Sequence, residues 1–294
     1  MYYRRKILLA LLEALDRKVT KTAFQKYLFL VSMEQEKPAY DFVPYQYGCF
    51  SFQADADKRT LTKYGYLKER DNWVLGHRQR FLHLLAPADK EAIHRVEHRV
   101  GNLHDRALVH YTYIHHPYYA INSQKRCEIL SKLEQEQVDS ARPTPNLPVR
   151  LFTIGYEGQS LERYLNRLIG ENIGVVCDVR RNPVSMKFGF GRRQLEKAAQ
   201  GLGIAYVHLP ELGIESGKRR ELNSPDDYRA LFKEYTRTTL AKSTDSLQTI
   251  MELMSKHGRV ALTCFEADHE FCHRSCVAEA LSRRKDFPHR IMHL

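Results

Sequence analysis

The sequence predicts two folded parts: an α/β domain with a Rossmann-like, mostly parallel sheet, preceded by a helical, winged-helix-like domain. Three observations carry this. Residues 150–294 alternate β-rich apolar runs with helical patterns, the order that builds a parallel sheet with crossover helices. Residues 1–137 hold helical periodicities and one hairpin-like stretch, without that alternation. Between them Pro143, Pro145 and Pro148 fall within six residues, so 138–149 reads as an extended linker.

In the first part, Ile7, Leu8, Leu11, Leu12 and Leu15 share one helical face. Thr20 opens a second helix, with Phe24, Tyr27, Leu28 and Val31 on its face. Pro44 to Gly48 is a turn, and Phe52 to Tyr64 a third helix closed by Gly65. Tyr66 to Leu75 reads as a hairpin with Asp71 and Asn72 at its turn, which completes a winged-helix pattern. Pro87 opens a helix through Val100; its His94 and His98 are four apart but read as a solvated face. His115 to Tyr119 is a turn whose aromatics face a base or cap the helix before it.

In the second part, Val149 to Ile154 is a strand, and Ser160 caps a helix through Ile169. Val175 to Val179 is continuously apolar except for Asp178, as a buried parallel strand should be. A helix from Arg193 to Leu202, a strand from Ile204 to Leu209, and helices over 224–240 and 246–257 follow. Arg259 to Cys264 is the fourth strand, and Ser275 to Arg284 the last helix.

The chain has 294 residues, 43% hydrophobic, with a net charge of +11 and a pI near 9.3. Cutting at Arg142 leaves 23 basic and 17 acidic residues before it (+6), and 23 and 18 after it (+5). The excess is therefore spread over both parts, and a polyanionic partner is expected: DNA, or RNA as a variant. No apolar run suits a bilayer span, so no membrane partner is expected. The six cysteines, three of them inside core-like or strand-like patterns, do not form a disulfide framework and fit a cytoplasmic setting. Nothing in the sequence fixes an oligomeric state.

Four loops leave the carboxyl ends of the strands, and in a parallel sheet such loops share one edge. They contain Gly155, Tyr156, Glu157 and Gly158; Asp178, Arg180, Arg181, Pro183 and Ser185; Glu211, Leu212 and Gly213; and Cys264, Glu266, Cys272, His273 and Arg274. These motifs, in order and at compatible spacing over about 150–285, resemble the DUF488 family. That resemblance implies a fold and a candidate site but no settled reaction. Where members often carry Leu-Gly-Gly, this chain has Leu212, Gly213 and Ile214. The first 75 or so residues resemble the phage-associated YwgA-like and SocA-like (Panacea) domains. Gln25 to Val31, Phe42 to Gly48 and Leu61 to Leu67 carry the likeness, although Cys49, Phe50 and Ser51 depart from the usual Pro-Tyr-Ser. This second resemblance implies a protein- or nucleic-acid-binding module and a role in defence.

The candidate catalytic residues are Asp178, Glu266, Glu157, Arg180 and Arg274. A partly buried carboxylate near a guanidinium activates water or stabilises a cationic sugar, and the arginines hold phosphates. The alternative makes Asp178 and Arg180 a loop-fixing ion pair. Tyr156, Ser185, Lys187, Phe188, Arg192 and Arg193, with Lys218, Arg219 and Arg220, interleave cations with aromatics as nucleic-acid contacts. The cysteines leave three readings open. Cys264, Cys272, His273 and Cys276 have zinc-binding chemistry without a CxxC pair. Cys264 beside Arg274 suits a nucleophile. Packing of Cys272 and Cys276 against the last helix leads, so neither metal nor cofactor is expected.

The expected function is hydrolysis of nucleic acid, favouring an N-glycosidic bond in DNA with a flipped, possibly modified base. A metal-dependent nuclease using Asp178, Glu157 and Glu266 is the alternative, and a non-enzymatic DNA-binding regulator the third.

Overall fold

The computed structural model describes residues 1–16, 18–68, 72–76, 80–144, 147–219, 222 and 224–294, without the side chains of Ser216 and Arg219. The chain divides into two compact units, Met1–Arg142 and Pro143–Leu294.

The first unit begins with α1 (Tyr3–Leu15), β1 (Val19–Thr20) and α2 (Lys21–Glu34), whose N-cap Thr20 accepts from the Ala23 amide. A hairpin of β2 (Val43–Tyr45) and β3 (Gly48–Phe50) leads to α3 (Phe52–Lys63). Leu67 then bridges Leu75, and β4 (Asn72–Trp73) pairs antiparallel with β1. Helix, strand, two helices and a returning hairpin make a winged-helix-like core, with the β2–β3 hairpin inserted. Asn72 belongs to the strand opposite Thr20 and not to the turn expected there, while Asp71 lies outside the described residues. The unit continues with the α-helices α4 (Pro87–Val100), α5 (Asp105–His115), α6 (Arg126–Ile129) and α7 (Lys132–Ser140). Helix α7 therefore runs into the segment read as linker. His94 and His98 are exposed, while His116 and Tyr119 pack edge-on and tilted against Phe29 of the core.

Residues of α2 hold the inserted hairpin. Gln25 takes the Ser51 amide at 2.9 Å, and the buried Lys26 donates to the carbonyls of Tyr47 and Cys49. A lysine taken from water survives only with such partners, and burial lowers its pKa.

The second unit carries β5 (Arg150–Gly155), α8 (Leu161–Gly170), β6 (Val175–Asp178), α9 (Arg192–Gln200) and β7 (Ala205–His208). Then come α10 (Pro225–Thr238), α11 (Thr244–His257), β8 (Arg259–Cys264), α12 (His273–Ser282) and β9 (Arg290–His293). The five strands form one parallel sheet in the order β7-β6-β8-β5-β9. β5, β6 and β8 are almost wholly buried because helices cover both faces, which is why they read as apolar runs. β9 escapes the sequence pattern: its four residues are mixed and half exposed at an edge.

Candidate functional site at the carboxyl edge of the sheet

Register decides which loops meet. Gly155 pairs with Cys264, Asp178 with Thr263, and Asp178 with His208. The four expected loops thus leave one edge, with β8 central. The loop after β8 also crosses directly over β5: the amides of Tyr156 and Glu157 both donate to the Phe265 carbonyl. A Cβ at Gly155 would overlap the Glu266 carbonyl oxygen, so only glycine allows this crossing. Gly213 has the same role beneath the Arg181 backbone.

Asp178 lies at the end of β6 and is fully buried. Its Oδ1 accepts from the Arg180 amide (3.1 Å) and Nε (2.8 Å), and its Oδ2 from Arg180 Nη2 (2.5 Å) and the Tyr206 hydroxyl (2.6 Å). Arg180 also donates to the Tyr156 hydroxyl (2.8 Å) and the Phe190 carbonyl (2.9 Å). Burial alone would lower the Arg180 pKa, but its pairing with Asp178 raises it. The Tyr206 hydroxyl is raised by burial and by the same carboxylate. Both oxygens of Asp178 are engaged and buried, the geometry of the loop-fixing ion pair with Arg180 that the sequence offers beside the water-activating role. Arg180, expected to hold phosphate, is likewise consumed inside.

Arg274 is fully buried. Its guanidinium donates to the Glu266 carbonyl (2.6 Å) and the Ala267 carbonyl (3.0 Å). These bonds shape the loop after β8, and the guanidinium expected to hold a phosphate lies beneath that loop. Glu157 is exposed and accepts from the Ala267 amide at 3.0 Å, tying the first loop to the fourth. Glu266 is half-buried, and its Oε2 accepts from the Cys264 thiol at 3.3 Å. Of the expected acids, Glu266 combines a buried neighbour with access to the surface.

The expected base-stacking rings also turn inward. Tyr156 is 3% exposed and stacks on the buried Phe190, centroids 4.2 Å apart and 8° from parallel. Phe188 is half-buried. Alternating cations and aromatics in sequence did not distinguish rings that fill the core from rings that face solvent. The exposed apolar side chains at this edge are Val184, Met186, Phe265 and Phe271, which sequence reasoning missed. Phe265 was findable, since it follows the last strand residue and precedes the candidate acid.

Among the cations, Arg181, Arg192 and Arg193 are exposed. Lys187 donates to the Tyr156 carbonyl (3.0 Å), and its amide donates to Ser185 Oγ. Lys218 pairs with Glu234 at 2.8 Å. The side chain of Arg219, and Arg220 entirely, lie outside the described residues.

The thiols divide. Cys264, Cys272 and His273 converge, their ligand atoms within 4.8 Å of one another and all three buried. Cys276 stands apart from them, half-buried, as expected of a packing residue. Burial and the adjacent Cys264 hold the Cys272 thiol well above its ordinary range.

Residues 160–281 match the family described as Domain of unknown function DUF488. The DUF488 match runs from the start of α8 into α12, and so takes in Asp178, Arg180, Glu266 and the converging thiols. No curated protein and no solved structure matches the chain. Among the described residues, no helix is long and apolar enough to cross a membrane.

Proposed function

We propose that the DUF488-like unit is a nucleic-acid hydrolase of the DNA glycosylase kind, with Glu266 as the group that activates water. One observation carries this reading. Glu266 sits beside the exposed Phe265, on the edge that also carries the exposed Arg181, Arg192 and Arg193. Apolar surface at a basic rim suits an unstacked base with its flanking phosphates. A carboxylate within reach of the sugar accepts a proton from the attacking water and offsets charge developing on the ring. Asp178, Arg180, Tyr206 and Arg274 hold the loops in register for that carboxylate.

The alternative of a nuclease built on Asp178, Glu157 and Glu266 has less support. Two-metal hydrolysis needs oxygen ligands facing one another, whereas Asp178 is saturated by Arg180 and Tyr206, and Glu157 is bound to a backbone amide. The winged-helix-like unit is the DNA-binding part of this proposal, and a defence role rests on its resemblance to YwgA-like and SocA-like domains. A cytoplasmic location belongs to the same reading.

The test incubates the full chain with duplex and single-stranded DNA, plain and base-modified. Released bases are read by mass spectrometry and strand breaks on denaturing gels. Free base with alkali-labile sites is expected. Strand breaks without free base would replace the proposal with a nuclease.

A further inference from the structure

We propose that Cys264, Cys272 and His273 bind one zinc ion at the carboxyl end of β8. The inference does not depend on the reaction proposed above.

His273 Nε2 lies 2.9 Å from the Val179 carbonyl. A carbonyl only accepts, so this nitrogen carries the hydrogen. In the neutral ring Nδ1 then presents its lone pair, and it faces the sulfurs of Cys264 (3.7 Å) and Cys272 (4.0 Å). A ligating histidine with its other nitrogen donating to a backbone carbonyl is the arrangement that fixes tautomer and ring orientation at metal sites.

The spacing also suits zinc. Bonds of about 2.3 Å to sulfur and about 2.0 Å to nitrogen place tetrahedral ligand atoms roughly 3.5–3.8 Å apart. The present atoms, all within 4.8 Å, need to close by at most about 1 Å. Thiolate and imidazole are donors that select zinc over magnesium or calcium. Binding displaces one proton from each thiol to solvent, so two thiolates and a neutral imidazole balance the dication. The buried site then gains no net charge, which removes the main penalty for burying an ion.

The supporting structure is in place. Cys264 ends β8, Cys272 is the N-cap of α12, and His273 is the first residue of that helix. Arg274 fixes the loop between the ligands through the Glu266 and Ala267 carbonyls. Glu266 accepts from the Cys264 thiol at the edge of the cluster and is not one of the three ligands.

The test measures metal in the full chain, purified without a metal-affinity step, by mass spectrometry, and then replaces it with Co2+. The proposal expects about one zinc per chain, released by a thiol-blocking reagent, and a cobalt form with thiolate charge-transfer and tetrahedral d–d absorption. Cys272→Ser and His273→Gln should lose at least tenfold in zinc affinity, while Cys276→Ser and Glu266→Gln keep the metal. Should Cys272→Ser not fold, His273→Gln and the cobalt spectrum of the unaltered chain decide. Zinc far below stoichiometry with no cobalt absorption overturns the proposal, as does a Cys264–Cys272 disulfide in freshly purified protein. Base release is read separately, so either proposal can fail alone.

Discussion

Replacing Asp178 with asparagine separates an anchor from a catalyst. Asp178→Asn preserves shape but removes the charge that balances Arg180, whose side chain is only 7% exposed. It also puts an amide NH2 where an oxygen now accepts from Arg180 or from Tyr206. Breaking a buried pair by removing one partner costs about 3–5 kcal/mol, because the remaining charge is left uncompensated. Arg180 keeps the Tyr156 hydroxyl and the Phe190 carbonyl, which favours the lower part of that range. For a unit of this size, Pro143–Leu294, each kcal/mol moves the melting temperature by about 2–4 °C. Thermal unfolding followed by calorimetry should therefore show the second transition lowered by roughly 10 °C. Arg180→Met combined with Asp178→Asn should cost less than the two single changes added, since the two groups are in direct contact. A shift below about 2 °C, accompanied by complete loss of base release, would refute the reasoning and make Asp178 a reacting group.

Three further outcomes follow from other parts of the structure. Gly155→Ala forces the loop after β8 away from β5, so it should destabilise the second unit by at least about 1–3 kcal/mol and displace Glu266; denaturant melts and base release on the same sample measure both. Replacing Arg181, Arg192 and Arg193 together with alanine should flatten the dependence of log affinity on log salt for duplex DNA, by about 0.9 for each phosphate no longer neutralised; an unchanged slope would move the interface elsewhere. In the first unit, burial acts to raise the Asp57 pKa, but hydrogen bonds from Arg4 and Arg5 outweigh it, leaving the value below the usual 3.8. A depressed carboxylate contributes stability that is present above its unfolded pKa and lost as pH falls through its folded one. The acid limb of a stability curve below about pH 4 should therefore flatten in Asp57→Asn, and an unchanged limb would contradict the assignment.

Much of the second unit was legible because period and composition agreed. Parallel strands such as Val175–Asp178 and Arg259–Cys264 are buried along their whole length and mostly apolar, and their helices carry clear faces. The sheet edge that gathers the loops followed from the order of elements alone. The direction of each side chain at that edge did not. Asp178, Arg180 and Arg274 have residue types that serve equally as catalysts or as anchors, and only their partners decide. Tyr156 and Phe190 likewise gave no sign that they stack on each other and not on a ligand. Convergence of Cys264, Cys272 and His273 depends on the turn of the loop between β8 and α12, which Gly155 sets from outside the motif and Arg274 from its end. β9 was missed because a short, half-exposed edge strand has no strong period to read.

The most direct test is single-turnover base release by the unaltered chain and by Glu266→Gln, on one DNA substrate and at matched melting temperature. The account predicts release by the unaltered chain and a fall of about 10²–10⁴-fold in the variant, with DNA affinity retained. Equal rates in the two proteins, or no release from any plain or modified DNA, would contradict it.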